Sequence, residues 1–456
     1  MKLDYLHICC RMRLRHLTSL ASTTCRFSAA VKMSTKSKVC IIGGGAAGLC
    51  AARHLAPLSQ FEPIVYELSD TIGGTWVYND KTGVDDHGLP IHSSMYQGLK
   101  TNLPKEVMAF PDFPFPDVED SFLHHEEVYS YLRKYAVHFG LDKYIRYKTL
   151  VRHVIPVKNG EGFNVSVEDL ETGETATSFF AAVMVCNGHY SVPSIPKIDG
   201  MSNFRGTVMH SHDYRTPQSF QDKTVAVLGA AASGTDIGIE IATAAKRLYL
   251  CHNNPVLPSQ FSPNMEQRKG ICKVVGGKDL ELSDGTTVTD VDVILLCTGY
   301  LYSFPFLDTT CHPKIENRVV WPLYKHMIHI DFPALCFIGV PIQICPFPQF
   351  HLQVQFFLKS LTAEMELPSK EAMMSDTEEE KNTKQKNGVP AKHFHKMGAS
   401  QWDYNRSLCK LANLSEIPSA VEKLYNDVWA TRRHNLTSYK KNSYVLNGDY
   451  YERKMA

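Results

Sequence analysis

Val39-Cys40-Ile41-Ile42-Gly43-Gly44-Gly45-Ala46-Ala47-Gly48-Leu49 is the stretch that decides how this chain is read. Its apolar start predicts a short buried strand, and the glycines after it predict a tight turn into a helix. Each glycine of the GxGxxG spacing answers a steric demand. Gly43 permits the turn, Gly45 lets backbone approach a pyrophosphate, and Gly48 lets helix and strand pack closely. The helix N-terminus then offers free N–H groups and a partial positive charge to phosphates. Glycine-rich turns after strands are common, so the assignment depends on what the rest of the chain adds.

Working outward, residues 49–58 predict the helix and Pro63-Ile64-Val65-Tyr66 the next strand, which closes on Glu67. An acid at the end of the second strand of such a unit accepts hydrogen bonds from a ribose diol. Ile72-Gly73-Gly74-Thr75-Trp76 follows, a second glycine turn. Met95 to Glu106 leads to the Pro- and Phe-rich segment Phe110 to Pro116, which is too irregular for a helix and predicts an ordered loop held on a core by its aromatics.

The pattern then repeats. Val225-Ala226-Val227-Leu228 runs into Gly229-Ala230-Ala231-Ala232-Ser233-Gly234, again strand, glycine turn and helix. Arg247 to Cys251 is its second strand, and counting from Gly229 places Asn253 where the first unit has Glu67. A carboxylate ~5 Å from a 2′-phosphate costs roughly 3 kcal/mol per unit charge at an effective dielectric of ~20. Its absence therefore makes NADPH acceptable here, with His252 and Lys269 as the nearest cationic candidates. Ala231 in place of the middle glycine predicts a slightly displaced pyrophosphate.

Two apolar strands end alike, Val183-Met184-Val185-Cys186-Asn187-Gly188 and Val293-Ile294-Leu295-Leu296-Cys297-Thr298-Gly299, and bracket the second unit. The expected fold class is α/β, two dinucleotide-binding Rossmann-like domains with the second inserted into the first. The expected boundaries are an extension over 1–37, a first domain over 38–200 and 303–456, and an inserted domain over 201–302. Residues 376–388 (DTEEEKNTKQKNG) predict a mobile, charge-rich loop, and the last ~60 residues predict packing helices.

Composition bounds the rest. A chain of 456 residues is too long for one ordinary core, and 44% apolar with 21% charged residues is the balance of a globular protein. A net charge of +1 gives no basic excess for nucleic acid. No run approaches the ~18 apolar residues of a membrane span, so no integral membrane segment is expected. Of the 13 cysteines, several sit inside apolar strands and none forms a CxxC pair, which predicts reduced core thiols. Arg11, Arg13, Arg15 and Arg26, with Asp4 as the only nearby acid, resemble a mitochondrial presequence ahead of a second possible start at Met33. A cytoplasmic location is expected, with a mitochondrial one as the alternative. His124-His125 and the His326/His329 spacing have no clustered Cys or carboxylate partners in sequence, so no metal is expected.

Between the two units lies Phe204-Arg205-Gly206-Thr207-Val208-Met209-His210-Ser211-His212-Asp213-Tyr214, an FxGxxxHxxxY pattern. Together with both glycine motifs, Gly73-Gly74-Thr75-Trp76, Thr101-Asn102 and Cys297-Thr298-Gly299-Tyr300, it resembles the flavin-containing monooxygenases. The match runs from about residue 38 to 360 and more faintly beyond. The length without a hydrophobic tail is more similar to the soluble insect and microbial members.

The resemblance implies FAD on Gly43, Gly45, Gly48, Glu67, Gly74, Thr75 and Trp76, and NADPH on Gly229, Ser233, Gly234, Thr298 and Gly299. It also implies that NADPH reduces the flavin, that molecular oxygen adds to form a flavin 4a-hydroperoxide, and that a small-molecule amine or sulfide takes the distal oxygen. That is the activity of the N,N-dimethylaniline type, associated with xenobiotic metabolism. Asn102 is the implied catalytic residue, aimed at the flavin and nicotinamide. His210 and Tyr214 read as a hinge and cofactor-organising linker. A Baeyer–Villiger monooxygenase shares most of these motifs, although its fingerprint usually ends in Trp where this chain has Tyr214. A flavin-binding protein without turnover is the alternative from another class.

Overall fold

The computed structural model describes residues 36–158 and 160–454. The expectation of a presequence concerns residues outside that range.

Val39, Cys40 and Ile41 are wholly buried, as the near-continuous apolar run of a parallel strand covered on both faces requires. Their strand, Ser37–Ile42, lies inside a seven-stranded sheet. The spatial order is Leu323–Tyr324, Ile328–His329, Leu335–Phe337, Ala182–Val185, Ser37–Ile42, Phe61–Tyr66 and Ile145–Arg146. The last five are parallel. A second sheet, all parallel, runs Met265–Arg268, Arg247–Cys251, Thr224–Leu228, Val293–Leu296, Thr207–His210.

The chain thus leaves the first sheet after Val185, builds the second, and returns to the first at Leu323. The exit and the return run side by side, with Val192–Pro193 paired antiparallel to Tyr300–Leu301. This is the inserted α/β architecture expected from the repeated strand–glycine–helix pattern. In each sheet the glycine-bearing strand sits between its own second strand and the strand ending in Cys186 or Cys297, the crevice position where such sheets bind ligands.

The helix after the first turn, Ala46–Leu55, packs against Pro346–Leu361 from the far end of the chain. Further along, Gln401–Ala412 and Ser419–Arg432 supply Trp402, Tyr425 and Trp429, whose rings pack on one another. The C-terminal region also reaches back to the helix Ala232–Ile241 and to the loop before Lys105: Lys440 Nζ donates to Asp236 Oδ2 at 2.8 Å and to Lys100 O at 2.9 Å. Among the described residues no helix is long and apolar enough to cross a membrane.

One local expectation is corrected. Residues 376–388 are not a mobile loop; most of them belong to the helix Lys370–Lys386. Ser369 Oγ caps it by accepting from Ala372 N at 3.2 Å, and Met373 and Thr377 are buried beneath it. Charge anchors the same face, because Lys325 Nζ lies 2.9 Å from Asp376 and His326 Nε2 lies 2.9 Å from Glu380. Composition could not reveal those partners, which lie about fifty residues upstream. Phe110 to Pro116 is the aromatic-held loop expected, with Phe115 stacked on Tyr131 at 3.8 Å; the helical turn Lys105–Met108 precedes it.

Candidate functional site

Gly43 has φ +106°, and a Cβ there would fall 2.7 Å from Cys186 O. A Cβ on Gly48 would sit 1.8 Å from Gly43 O. Both positions therefore exclude a side chain. Gly45 is different: its nearest neighbour for a Cβ is Gly74 Cα at 3.6 Å. The two glycine motifs read separately in sequence are in contact, and Gly73 N donates to Gly44 O at 3.1 Å.

Glu67 lies beneath this turn, buried. Its Oε2 accepts from Gly44 N at 2.6 Å, and its Oε1 accepts from Ser69 N and Ser69 Oγ, both at 2.8 Å. Burial pushes its pKa above the usual carboxylate range, against the backbone hydrogen bonds from Ser69 and Gly44. The Ser69 hydroxyl has one proton and a second acceptor, Thr71 O at 2.6 Å. When Ser69 turns to Thr71, a carboxylate with about four acceptor sites keeps two of them for a diol. Carboxylate, open glycine and helix N-terminus together fit a ribose joined to a pyrophosphate.

Thr75 and Trp76 form the short turn Gly74–Trp76; Thr75 O accepts from Ser93 Oγ at 3.1 Å and the Trp76 indole meets Phe347 edge-on. Asn102 is half-buried in the loop that precedes the helix His125–His138. Its neighbours hold that loop. Thr101 N donates to Leu123 O at 2.8 Å, Leu123 N donates to Thr101 Oγ1 at 3.0 Å, and Lys105 N donates to Ser121 O at 2.7 Å. The Asn102 amide takes no part in these bonds.

The second turn repeats the first. Gly229 has φ +113° with Cys297 O 2.4 Å from its would-be Cβ, and a Cβ on Gly234 would meet Gly229 O at 1.9 Å. Ala231 precedes the helix Ala232–Ile241 at φ −82°, ψ −169°, against −75°, −172° for Gly45, a conformation that any L-residue adopts. Ser233 is exposed in the first turn of that helix.

The structure corrects the match of Asn253 to Glu67. Gly43 N donates to Tyr66 O at 2.8 Å and Gly229 N donates to Cys251 O at 2.9 Å, so the residue after Cys251, His252, is the counterpart of Glu67. The connection between turn and second strand is one residue shorter in the second unit. Asn253 ties a loop instead, accepting from Gly270 N at 3.0 Å and Ser283 Oγ at 2.7 Å. His252 is buried, with Nε2 3.2 Å from Gln267 Oε1 and Nδ1 without a partner among the described residues.

Thr298 and Gly299 lie at the crossing. Thr298 Oγ1 donates to Ser194 O at 2.5 Å, and Gly299 has φ +78°. His212 N donates to His210 Nδ1 at 3.0 Å, so His210 Nε2 bears the proton and donates to Gly299 O at 3.1 Å. His210 is thus engaged in tying strand to loop. Tyr214 is fully buried against Tyr96 and Phe220. Sequence reasoning missed Arg318, which donates to both Thr298 O and Ser194 Oγ at 2.8 Å. No local motif marks it. His189 also escaped notice; it lies beside Tyr302, and burial pushes its pKa down to about 4.

The histidines considered for a metal do not converge. His124 precedes the helix His125–His138, where Glu127 accepts from its backbone N, while His329 Nδ1 accepts from Asp331 N and His326 faces His395 and Glu380. The strand cysteines Cys40, Cys186, Cys251, Cys297 and Cys336 are buried and form no disulfide among the described residues.

This geometry defines a two-nucleotide α/β enzyme, and comparison with known proteins gives its family. The family model described as flavin-binding monooxygenase-like matches residues 36–257 and 254–427. The chain belongs to that family and is a flavin-dependent monooxygenase. It is 36% identical over 422 residues to flavin-containing monooxygenase FMO GS-OX-like 4 of Arabidopsis thaliana, covering 88% of this chain and 93% of that one. Among solved structures, S-allyl-L-cysteine S-oxygenase from Allium sativum is 34% identical with a TM-score of 0.83, over 89% of this chain and 95% of that one. Tmm from Pelagibacter sp. strain HTCC7211 is 29% identical with a TM-score of 0.81, over 91% and 96%. Cyclohexanone monooxygenase shares the fold at 13% identity and a TM-score of 0.58.

Proposed function

We propose that this enzyme uses FAD and NADPH to insert one atom of molecular oxygen onto a soft nucleophile, a thioether sulfur or a tertiary amine nitrogen. The observation that carries the reading is the pair of equivalent positions that close the two glycine turns, Glu67 in one and His252 in the other. A carboxylate favours an unphosphorylated ribose, as in FAD, whereas an imidazole tolerates a 2′-phosphate. Residues 38–200 and 303–456 then serve the flavin and residues 201–302 the nicotinamide cofactor. The likeness to an S-oxygenase makes sulfides the first substrates to test.

Bound flavin supplies oxygen activation and bound NADPH supplies the electrons. The chain's own residues do the rest. Gly43, Gly45 and Gly48 admit the flavin pyrophosphate, with Gly74 against Gly45 and Thr75 and Trp76 closing that side. Glu67 accepts the ribose hydroxyls. Gly229, Ser233 and Gly234 receive the second pyrophosphate, while Thr298 and Gly299, held by His210 and Arg318, shape the crossing. Asn102 donates its amide into the space between the cofactors, where exclusion of water protects the reactive centre.

The test is turnover under labelled dioxygen. A methyl or allyl thioether with NADPH should give a sulfoxide carrying one labelled oxygen, while a cyclic ketone should give no ester. Ester without sulfoxide would replace this reading with Baeyer–Villiger chemistry.

A further inference from the structure

One turn inside the flavin-side helices, a second constellation joins distant parts of the chain. Cys50 and His54 stand four residues apart on Ala46–Leu55, so both project from one face of that helix. His351, on Pro346–Leu361, meets them from the packed partner helix. The Cys50 sulfur and one nitrogen of each imidazole all lie within 4.8 Å of one another, and His54 Nε2 is 3.0 Å from His351 Nδ1. A fourth donor comes from the aromatic loop. Asp112 Oδ1 lies 3.6 Å from His351 Nδ1, and Asp112 Oδ2 lies 4.0 Å from His54 Nε2. Both Asp112 oxygens are buried without a hydrogen-bond partner among the described residues, although Arg53 lies 3.2 Å from Oδ2.

We propose that Cys50, His54, His351 and Asp112 bind one divalent transition-metal ion, zinc being the ion whose preferences they meet. The proposal departs from the metal-free expectation drawn from sequence. Zinc takes four ligands from thiolate, imidazole and carboxylate at about 2.0–2.3 Å, which puts tetrahedral donor atoms roughly 3.3–3.6 Å apart. The observed separations, from 3.0 Å to no more than 4.8 Å, bracket that spacing, so side-chain movements of about 1 Å or less per group close the set. A thiolate and two imidazoles disfavour calcium and magnesium, which want oxygen.

Binding releases the Cys50 thiol proton to solvent; the thiolate and the Asp112 carboxylate then offset the two charges of the ion, and the Arg53 guanidinium 3.2 Å from Asp112 leaves the cluster with one net positive charge. Without an ion, the two imidazoles share one hydrogen bond and the carboxylate has only Arg53. Because the ligands come from two helices and a loop, the ion would cross-link the packing of Ala46–Leu55 on Pro346–Leu361. It would do so without touching the glycine turn.

The experiment uses the flavin-loaded enzyme, treated with chelator, dialysed against zinc chloride and then against metal-free buffer. Elemental analysis should find one zinc per chain, and zinc-edge X-ray absorption should find one sulfur with three nitrogen or oxygen neighbours. Cys50→Ser and His351→Gln, each checked for retained flavin, should lose the bound ion. No retained zinc, a shell without sulfur, or undiminished zinc in both flavin-loaded variants overturns the proposal. If a variant fails to hold flavin, the absorption shell of the unaltered enzyme decides the matter alone.

Discussion

Glu67 and His252 occupy one position in two copies of the same strand–turn–helix unit. The N–H of each donates to the next strand, Glu67 to Arg146 O and His252 to Arg268 O, both at 2.9 Å. The backbones agree to the hydrogen bond while the side chains differ in charge, and that difference divides the two cofactors in this account.

Replacing His252 with Glu should therefore penalise NADPH far more than NADH. A carboxylate near the 2′-phosphate costs roughly 1–3 kcal/mol after partial screening. Steady-state kinetics should show KM for NADPH rising about tenfold to a hundredfold, with KM for NADH moving little. An unchanged ratio would detach His252 from the phosphate.

Glu67→Gln keeps the shape and loses the charge. The loss of charge-assisted acceptors should weaken FAD binding by roughly 1.5–3 kcal/mol, read as flavin released on dilution. The sign of the pH dependence follows. Burial raises the Glu67 pKa, and the ionised form is the one that accepts a diol, so flavin affinity should fall as pH drops through a value above the ordinary carboxylate range. In Glu67→Gln that loss should disappear.

The two glycines of the first turn should separate in their effects. Gly48→Ala drives a methyl to 1.8 Å from Gly43 O and should prevent folding, whereas Gly45→Ala meets only Gly74 Cα at 3.6 Å. Circular dichroism should report a folded Gly45→Ala protein that purifies without flavin. A flavin-loaded Gly45→Ala variant would show that no phosphate approaches this glycine.

These contrasts mark how much was legible in the chain. The strand–glycine–helix repeat is local, so Gly43, Gly48, Gly229 and Gly234 could be read directly, and the return of the chain to the first sheet followed from the paired strands ending at Cys186 and Cys297. The position of His252 was missed by one residue because counting from a glycine cannot see that a connection has shortened. The helix Lys370–Lys386 was missed because the Lys325 and His326 side chains that pair with it lie about fifty residues upstream, outside any composition window. The meeting of Cys50 and His54 with His351 was hidden for the same reason. Only the i, i+4 pair on the first helix gave any local signal.

Glu380 provides a test of that helix. It is partly buried, which alone would raise its pKa, but His326 and Lys384 hold it below the usual carboxylate range. A depressed carboxylate contributes stability above its unfolded pKa and loses it as pH falls through the folded value. Glu380→Gln should thus lower Tm at neutral pH, by roughly 1–2 kcal/mol of stability after discounting for solvent exposure, and the gap should narrow in acid. Equal melting at neutral pH would mean that the pair contributes nothing.

Asn102→Ala should leave flavin content unchanged, since the loop is held by Thr101 and Lys105 rather than by the Asn102 amide. What should change is coupling: more hydrogen peroxide per NADPH consumed, and less sulfoxide. Peroxide yield equal to that of the unaltered enzyme would remove Asn102 from the chemistry.

The most direct test of the central claim is anaerobic addition of NADPH to the purified, flavin-loaded enzyme, followed by absorbance. One equivalent of NADPH should bleach the flavin, and admitting oxygen with a thioether should restore it with one sulfoxide formed per NADPH. A flavin that stays oxidised in the presence of excess NADPH would contradict the claim.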